Sequence, residues 1–153
     1  MSCNIETLEG SKISIGTGVT VADCDTKLAF ADYDGVSDWT AIGAVETFTL
    51  DGDEWTIIDN KLLSGAIAKG KGTDQTGKAT IEIVYQDGDA GQAVVKTARD
   101  SKENYAFKFE YSNGKIAYAQ GLVTRLSMPQ GNGEELYKRQ ILVELTQKVV
   151  SNL

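Results

Sequence analysis

The sequence predicts a mainly β protein of six to eight mostly antiparallel strands with one flanking helix over about 89–103. Three observations carry that expectation. Ile81, Ile83 and Tyr85 alternate with Thr80, Glu82 and Val84, the period of a half-buried strand. Tyr105, Phe107, Phe109 and Tyr111 alternate in the same way ahead of the turn Ser112-Asn113-Gly114-Lys115. Between the two, Asp87-Gly88-Asp89-Ala90-Gly91-Gln92 opens the one substantial stretch with helical character.

Taken in order, Met1 to Leu8 reads as the body of an N-terminal arm over 1–10, and Ser11 to Gly16 with Gly18 to Ala22 reads as two short strands or one bent strand. Thr40 to Leu50 and Glu54 to Ile58 are strand-like and flank Asp51-Gly52-Asp53, so a β-hairpin is expected there. From Asp59 to Gly77 the chain carries Gly65, Gly70, Gly72 and Gly77 with little sustained periodicity, and is expected to be a long loop. Leu62, Leu63, Ile67 and Ala68 within it are apolar enough to want a partner. A loop that orders on contact is the first reading, and a strand or helical turn packed on its own domain the other.

Asp89 and Gln92 stand three apart, the spacing at which a capping side chain and a returning amide satisfy two helix-terminal N–H groups reciprocally. Ala90, Ala93, Val94, Thr97 and Ala98 then form the expected inner stripe, opposite Lys96, Arg99, Asp100 and Lys102. Asn104–Tyr111 should pair with Lys115–Leu126. After the loop at Pro129 a final strand runs from Glu134 to about Val150, with Tyr137, Arg139, Ile141, Val143 and Leu145 alternating along it. A strand so much longer than the usual five or six residues can reach beyond its own domain, which makes Tyr137, Arg139, Ile141 and Val143 candidates for contact with a neighbouring subunit.

At 153 residues the chain is read as a single domain over 1–153, able to bury roughly 68–70% of the surface of the unfolded chain without a metal or disulfide staple. Cys3 and Cys24 lack thiolate-site spacing and read as two reduced thiols. No run approaches the roughly 20 apolar residues of a membrane helix, and the first residues lack a basic start and apolar core, so a soluble, cytosolically made protein without a membrane partner is expected. The net charge of −7 and the lack of a basic stripe disfavour tight binding to nucleic acid, which relies on cations neutralising phosphates.

Histidine is absent, which removes the commonest general base and metal ligand. Asp51, Asp53, Asp87 and Asp89 could in principle form a carboxylate pair, but Asp at tight turns and helix starts has a simpler role. The Asp87-Gly88-Asp89 run fails as a calcium loop, with Gly91 and Ala98 at ligand positions, and Gly70-Lys71-Gly72-Thr73 lacks the order of a phosphate-binding loop. No catalytic residue, cofactor or metal ligand is assigned. Trp39, Trp55 and the Tyr105–Tyr111 series read as packed faces, with a sugar-binding platform on a monomeric module as the rival.

Three stretches together resemble the major tail tube proteins of long-tailed bacteriophages, whose fold is shared with the inner-tube protein of type VI secretion. They are Trp39 to Phe48, Lys71 to Ile83, and Asp87 to Gln92 followed by the Tyr105–Phe109 hairpin, and the similarity in order spans roughly Ser11 to Val150. The resemblance implies a β-sandwich or barrel and a non-enzymatic virion protein, assembled in the host cytoplasm as stacked rings of six through which DNA leaves the capsid. Tape measure, tail tip and terminator proteins are the implied partners, with DNA passing unbound along an acidic wall. The family's long inter-ring loop maps onto 59–77, with Leu62, Leu63, Ile67, Lys69 and Lys71 as its contact residues. An inner tube of a secretion system or contractile particle is the alternative within the fold.

Overall fold

The structure, a computed structural model, describes residues 9–23, 25–52, 54–134 and 136–153. Cys3, Cys24, Asp53 and most of the expected N-terminal arm lie outside the described residues. The strands are β1 (Lys12–Thr17), β2 (Thr40–Ile42), β3 (Val45–Asp51), β4 (Glu54–Lys61), β5 (Ile67–Gln75), β6 (Lys78–Val84), β7 (Tyr105–Glu110), β8 (Ile116–Leu126) and β9 (Lys138–Ser151), with helix α1 (Ala90–Asp100) between β6 and β7. Seven form one antiparallel sheet in the order β2-β1-β7-β8-β9-β6-β3, and β4 pairs with β5 apart from it.

The sheet is rolled, and the sequence forces it to be. Its two edges, β2 and β3, are separated along the chain by only Gly43 and Ala44, so their nearest ends lie within about 11 Å of each other. Register shifts between β8 and β9 at Tyr118/Gln120, Gln120/Gly121 and Val123/Arg125 supply the local bending. Inside the roll, Phe107 faces Ala119 and Phe109 faces Ala117 across β7 and β8, so each ring is given room by a small partner. Ile13, Ile15, Ile81, Ile83, Ile141 and Val143 complete this core and are almost fully buried. Each such side chain is worth about 1.5–3 kcal/mol relative to exposure.

Helix α1 packs against β2, β1 and β8. Gly91 packs so near β2 that a Cβ there would collide with the carbonyl oxygen of Ala41. The buried face is Gly91, Gln92, Val95 and Ala98, not the stripe expected from Ala90, Ala93, Val94 and Thr97: the close approach at Gly91 turns the helix toward the sheet by a glycine rather than by its alanines. Asp89 caps the helix as expected, accepting from the Gln92 N–H at 2.9 Å and also from the Gly43 N–H at 3.1 Å. The reciprocal half of the cap is not formed. The Gln92 amide instead donates to the carbonyls of Gly43 (3.1 Å) and Val84 (3.0 Å) and accepts from the Gln86 N–H (3.1 Å).

A second cluster covers the opposite face of β7 and β8. Tyr33, from a 3-10 turn over Phe30–Gly35, stacks on Tyr118 with ring centroids 5.0 Å apart, and Trp39 stacks on the same ring at 5.8 Å. Gly18 to Ala22 forms no strand. Its Val19 is held by a side chain: Gln120 on β8 accepts from the Val19 N–H (2.7 Å) and donates to its carbonyl (3.1 Å). Gln147, the register partner of Gln120 on β9, holds Leu28 N–H (3.0 Å) and the Thr26 carbonyl (2.9 Å) in the same way. Asp38 fastens the far end to the N–H and hydroxyl of Thr17, and these bonds hold its carboxyl below the usual carboxylate range.

Two other expectations are corrected. Asp51-Gly52-Asp53 does not turn a hairpin: β3 pairs with β6 and β4 with β5. The final strand begins at Lys138 and is long because β9 lies between β6 and β8, matching β6 along its first half and β8 along its length. Ile141 and Val143 are therefore core residues with no exposed surface, not contacts to a neighbour.

Replacing Gln92 by Leu leaves the Gly43 and Val84 carbonyls without their amide, and the expected loss is about 2 kcal/mol in urea denaturation. Tyr33 is fully buried, and its hydroxyl has no hydrogen-bond partner among the described residues. Burial first, and the Asp32 carboxylate second, push its pKa far above the ordinary 10.0. A raised folded-state pKa gives stability that is full below the unfolded value and lost as pH rises above it. Tyr33→Phe should therefore leave neutral-pH stability within about 1 kcal/mol of the parent and flatten the fall in stability above pH 10, as followed by denaturation against pH.

Candidate assembly site

The stretch expected to be a loop over 59–77 is instead the greater part of a projecting β-hairpin. Strand β6 follows β5 across Thr76 and Gly77, and Gly77 lies against Asp51 and Gly52 at the end of β3, so the β4–β5 hairpin adjoins the β3–β6 pair at a bend. The bend belongs to the two glycines. Gly52 has φ +128° and Gly77 φ +83°, and a Cβ on Gly77 would strike the carbonyl oxygen of Asp51 and the Cα of Gly52. Below the bend the β3–β6 pair is part of the barrel; above it, residues 54–75 stand free as an arm.

Among the described residues, the arm is fastened at its root. The Thr76 hydroxyl donates to the Leu145 carbonyl at 2.6 Å, Leu145 N–H donates to the Gly77 carbonyl at 3.1 Å, and Lys148 pairs with Asp74. At the tip, Leu62 N–H bonds the Ala66 carbonyl at 2.8 Å and Gly65 takes φ +87°. The ladder places Ile57, Asp59, Lys61, Ile67, Lys69 and Lys71 on one face, with the Lys71 ammonium 5.5 Å from the Trp55 ring. Ile58, Asn60, Ala68 and Gly70 form the other face, where Ile58 lies over Gly72.

All five residues expected to make inter-ring contacts sit on this arm and are exposed: Leu62, Leu63, Ile67, Lys69 and Lys71. Trp55, Ile57 and Ile58 join them, and Leu63 is wholly exposed. An isolated two-stranded hairpin is marginal in water, and apolar patches of this kind mark interaction surfaces. The expected strand contacts divide differently. Tyr137 is exposed just before β9, and Arg139 lies over the Tyr85 ring at 5.7 Å while its Nε donates to the Ser127 carbonyl. Ile141 and Val143 do not join them.

The sequence concealed a second element of the site, the free edge of β3. Val45, Phe48 and Leu50 pack against the core yet stay only half-buried, and among the described residues no strand pairs along the outer side of β3. Its alternation is readable, but which strand ends at an edge depends on pairings far apart in the chain. The arm did carry a local signal in Ser64-Gly65, a turn dipeptide between two stretches able to extend.

Catalytic and sugar-binding geometries find little support in the described residues. No group of three or more Cys, Asp and Glu could hold a metal ion among them. Asp89 caps α1, Asp51 ends β3 opposite Lys78, and Asp87 lies in the turn before the helix. Phe107 and Phe109 are inside the core, Tyr105 and Tyr111 pack against it and Trp39 is stacked on Tyr118, whereas Trp55 on the arm is exposed. No helix among the described residues is long and apolar enough to cross a membrane.

A rolled antiparallel sheet with one sealing helix and a projecting hairpin defines a tail-tube-like fold. The chain is similar over its full length to a chain in the sheath/tube terminator of an extracellular contractile injection system, with TM-score 0.65, 12% identity and all of that chain covered. It is similar to the tube-terminating cap of the anti-feeding prophage (TM-score 0.62, 13% identity, 99% of this chain and 93% of that one). The SPP1 tail tube is a third, with TM-score 0.54, 13% identity and coverage of 95% and 79%. No family model matches the sequence, and no curated protein matches it.

The bend glycines give a direct test. Gly77→Ala should lower stability by more than about 1 kcal/mol, since it meets both a positive φ and a backbone collision. Gly70→Ala, with open space around its Cβ, should stay within about 0.5 kcal/mol of the parent. Urea denaturation of the two variants side by side checks both.

Proposed function

We propose that this chain is a non-enzymatic structural subunit of a tail tube, in which rings of six copies stack into a conduit. The observation that carries this reading is the arm: a marginal hairpin covered in apolar residues, anchored by a bend that the rest of the barrel is built to hold. A monomer gains nothing from such an element, whereas a stack of rings buries it. In this reading Leu62, Leu63, Ile67, Lys69 and Lys71 contact the adjacent ring, and Tyr137 with Arg139 lies at a contact between copies. Terminator, tail tip and tape measure proteins are its further partners in the virion tail, assembled in the host cytoplasm. DNA slides along the lumen, repelled by the acidic chain over a screening length of about 8 Å.

The tube of a contractile injection particle is the second reading. It is favoured by the similarity to the injection-system terminator and the anti-feeding prophage cap. The two readings share the assembly and differ in cargo.

Light scattering with negative-stain microscopy tests the assembly. The parent protein should form rings or tubes, and Leu63→Glu with Ile67→Glu should shift tubes toward unstacked rings while the far-UV circular dichroism is unchanged, because both side chains are exposed. A parent protein that stays monomeric to millimolar concentration, with or without tail-tip components, would overturn the proposal.

A further inference from the structure

We propose that Asn132 is a site of spontaneous covalent modification, losing its side-chain amide to become aspartate or isoaspartate, while Asn113 is protected from the same reaction by the fold. Both asparagines precede glycine, in Asn113-Gly114 and Asn132-Gly133, and all four residues are exposed. Glycine has no Cβ to hinder the approach of its backbone nitrogen to the asparagine side chain. That nitrogen loses its proton to solvent base and bonds to the asparagine Cγ, the Cγ–Nδ2 bond breaks, and ammonia leaves. Water then opens the resulting five-membered imide at one of its two C–N bonds, and no group is oxidised or reduced.

The two pairs share an activated carbon and differ in the nucleophile. The Asn113 Oδ1 accepts from the Lys115 N–H at 3.0 Å and the Asn132 Oδ1 from the Glu134 N–H at 2.9 Å, so each side-chain carbonyl is polarised alike. The Gly114 N–H, however, donates to the Tyr111 carbonyl at 3.0 Å, inside a turn closed by the Tyr111 N–H to Lys115 carbonyl bond at 2.9 Å and by the ladder pair Glu110–Ile116. Swinging that nitrogen onto Cγ breaks its bond to Tyr111. The Gly133 N–H has no acceptor among the described residues, and nothing stands within 4 Å of where a Cβ on Gly133 would be. Its attack sacrifices no hydrogen bond.

The product changes a particular surface. Conversion adds a negative charge to the formal −7 of the chain, close to Glu134, and isoaspartate also lengthens the main chain within the loop that the Gln130–Lys138 bridge closes. Met128, Leu136 and Tyr137 are exposed on the same stretch. In the assembly proposed above Tyr137 lies at a contact between copies, so subunits that age before assembly carry that contact beside a new carboxylate, and fresh ones do not.

Peptide mapping of the full-length protein tests this. Folded protein is incubated in mildly alkaline buffer and then digested with trypsin under mildly acidic conditions, which halt further attack. The peptides 109–115 and 126–138 carry the two asparagines separately. Asn132 should convert at least about fivefold faster than Asn113, the factor that one net backbone hydrogen bond supplies, and in urea the two rates should converge. Gly133→Ala, which meets no neighbour and replaces a glycine without positive φ, should slow conversion of Asn132 while leaving the urea midpoint unchanged. An isoaspartate-specific methyltransferase should label 126–138 of the aged parent and not of Asn132→Ala. A smaller ratio in the folded protein, a ratio that persists in urea, or an Asn132 that stays intact overturns the proposal.

Discussion

The fold depends on a small polar knot where the start of α1 meets Gly43. One carboxylate and one amide, Asp89 and Gln92, hold both the N–H and the carbonyl of Gly43, together with the Val84 carbonyl and the Gln86 N–H. These backbone groups come from the crossing between the two edges of the sheet and from the end of β6. Left unpaired in a buried place they would each cost free energy. Satisfied, they pin the helix across the open side of the roll, and Val95 and Ala98 then seal the core. Ala44, with φ 57°, is the non-glycine residue given a positive φ in this crossing, and its carbonyl is taken up by Val84 at 2.9 Å.

The same device recurs on the opposite face. Gln120 and Gln147 stand side by side on β8 and β9 and treat the segment above them as a strand, each offering one donor and one acceptor to its backbone. A polypeptide with few regular elements between Gly18 and Asp38 is thereby held without a ladder of its own. Three glutamine amides thus do for this protein what backbone pairing does elsewhere, at the places where the roll must be covered or closed.

Much of the barrel was legible in the sequence, and the misses share a cause. Alternation in 78–84 and 138–150 identified strands because each has a wetter and a drier side, and in 105–110 because its rings alternate toward the core. Asp89 was legible as a cap because its partner is three residues away. The role of Gln92 was legible only as the return half of that cap, since its amide instead holds Gly43 forty-nine residues earlier together with Val84 and Gln86. The arm failed for a different reason: Trp55, Ile57, Ile58 and Ile67 are apolar on both faces of a ribbon that no core covers, so no period of two distinguishes inside from outside. The Asp51-Gly52 signal was real, but it marks the end of β3, where Gly77 packs against it, and not a hairpin tip, because β3 pairs with β6 and β4 with β5. Ile141 and Val143 were placed at an interface because β9 is long; its length comes from serving two neighbours in its own sheet.

The bend at Gly52 and Gly77 also has a mechanical meaning. Because only Thr76 and Gly77 separate β5 of the arm from β6 of the barrel, a pull on the arm's tip reaches β6 along the backbone. The β6–β9 ladder then bears that load lengthwise, with seven residue pairs from Lys78–Glu144 to Val84–Lys138 sharing it, instead of opening one bond at a time. A surface element that leads into β6, a strand paired on both sides in its own sheet, is in this way a lever, and whatever grips it grips the core.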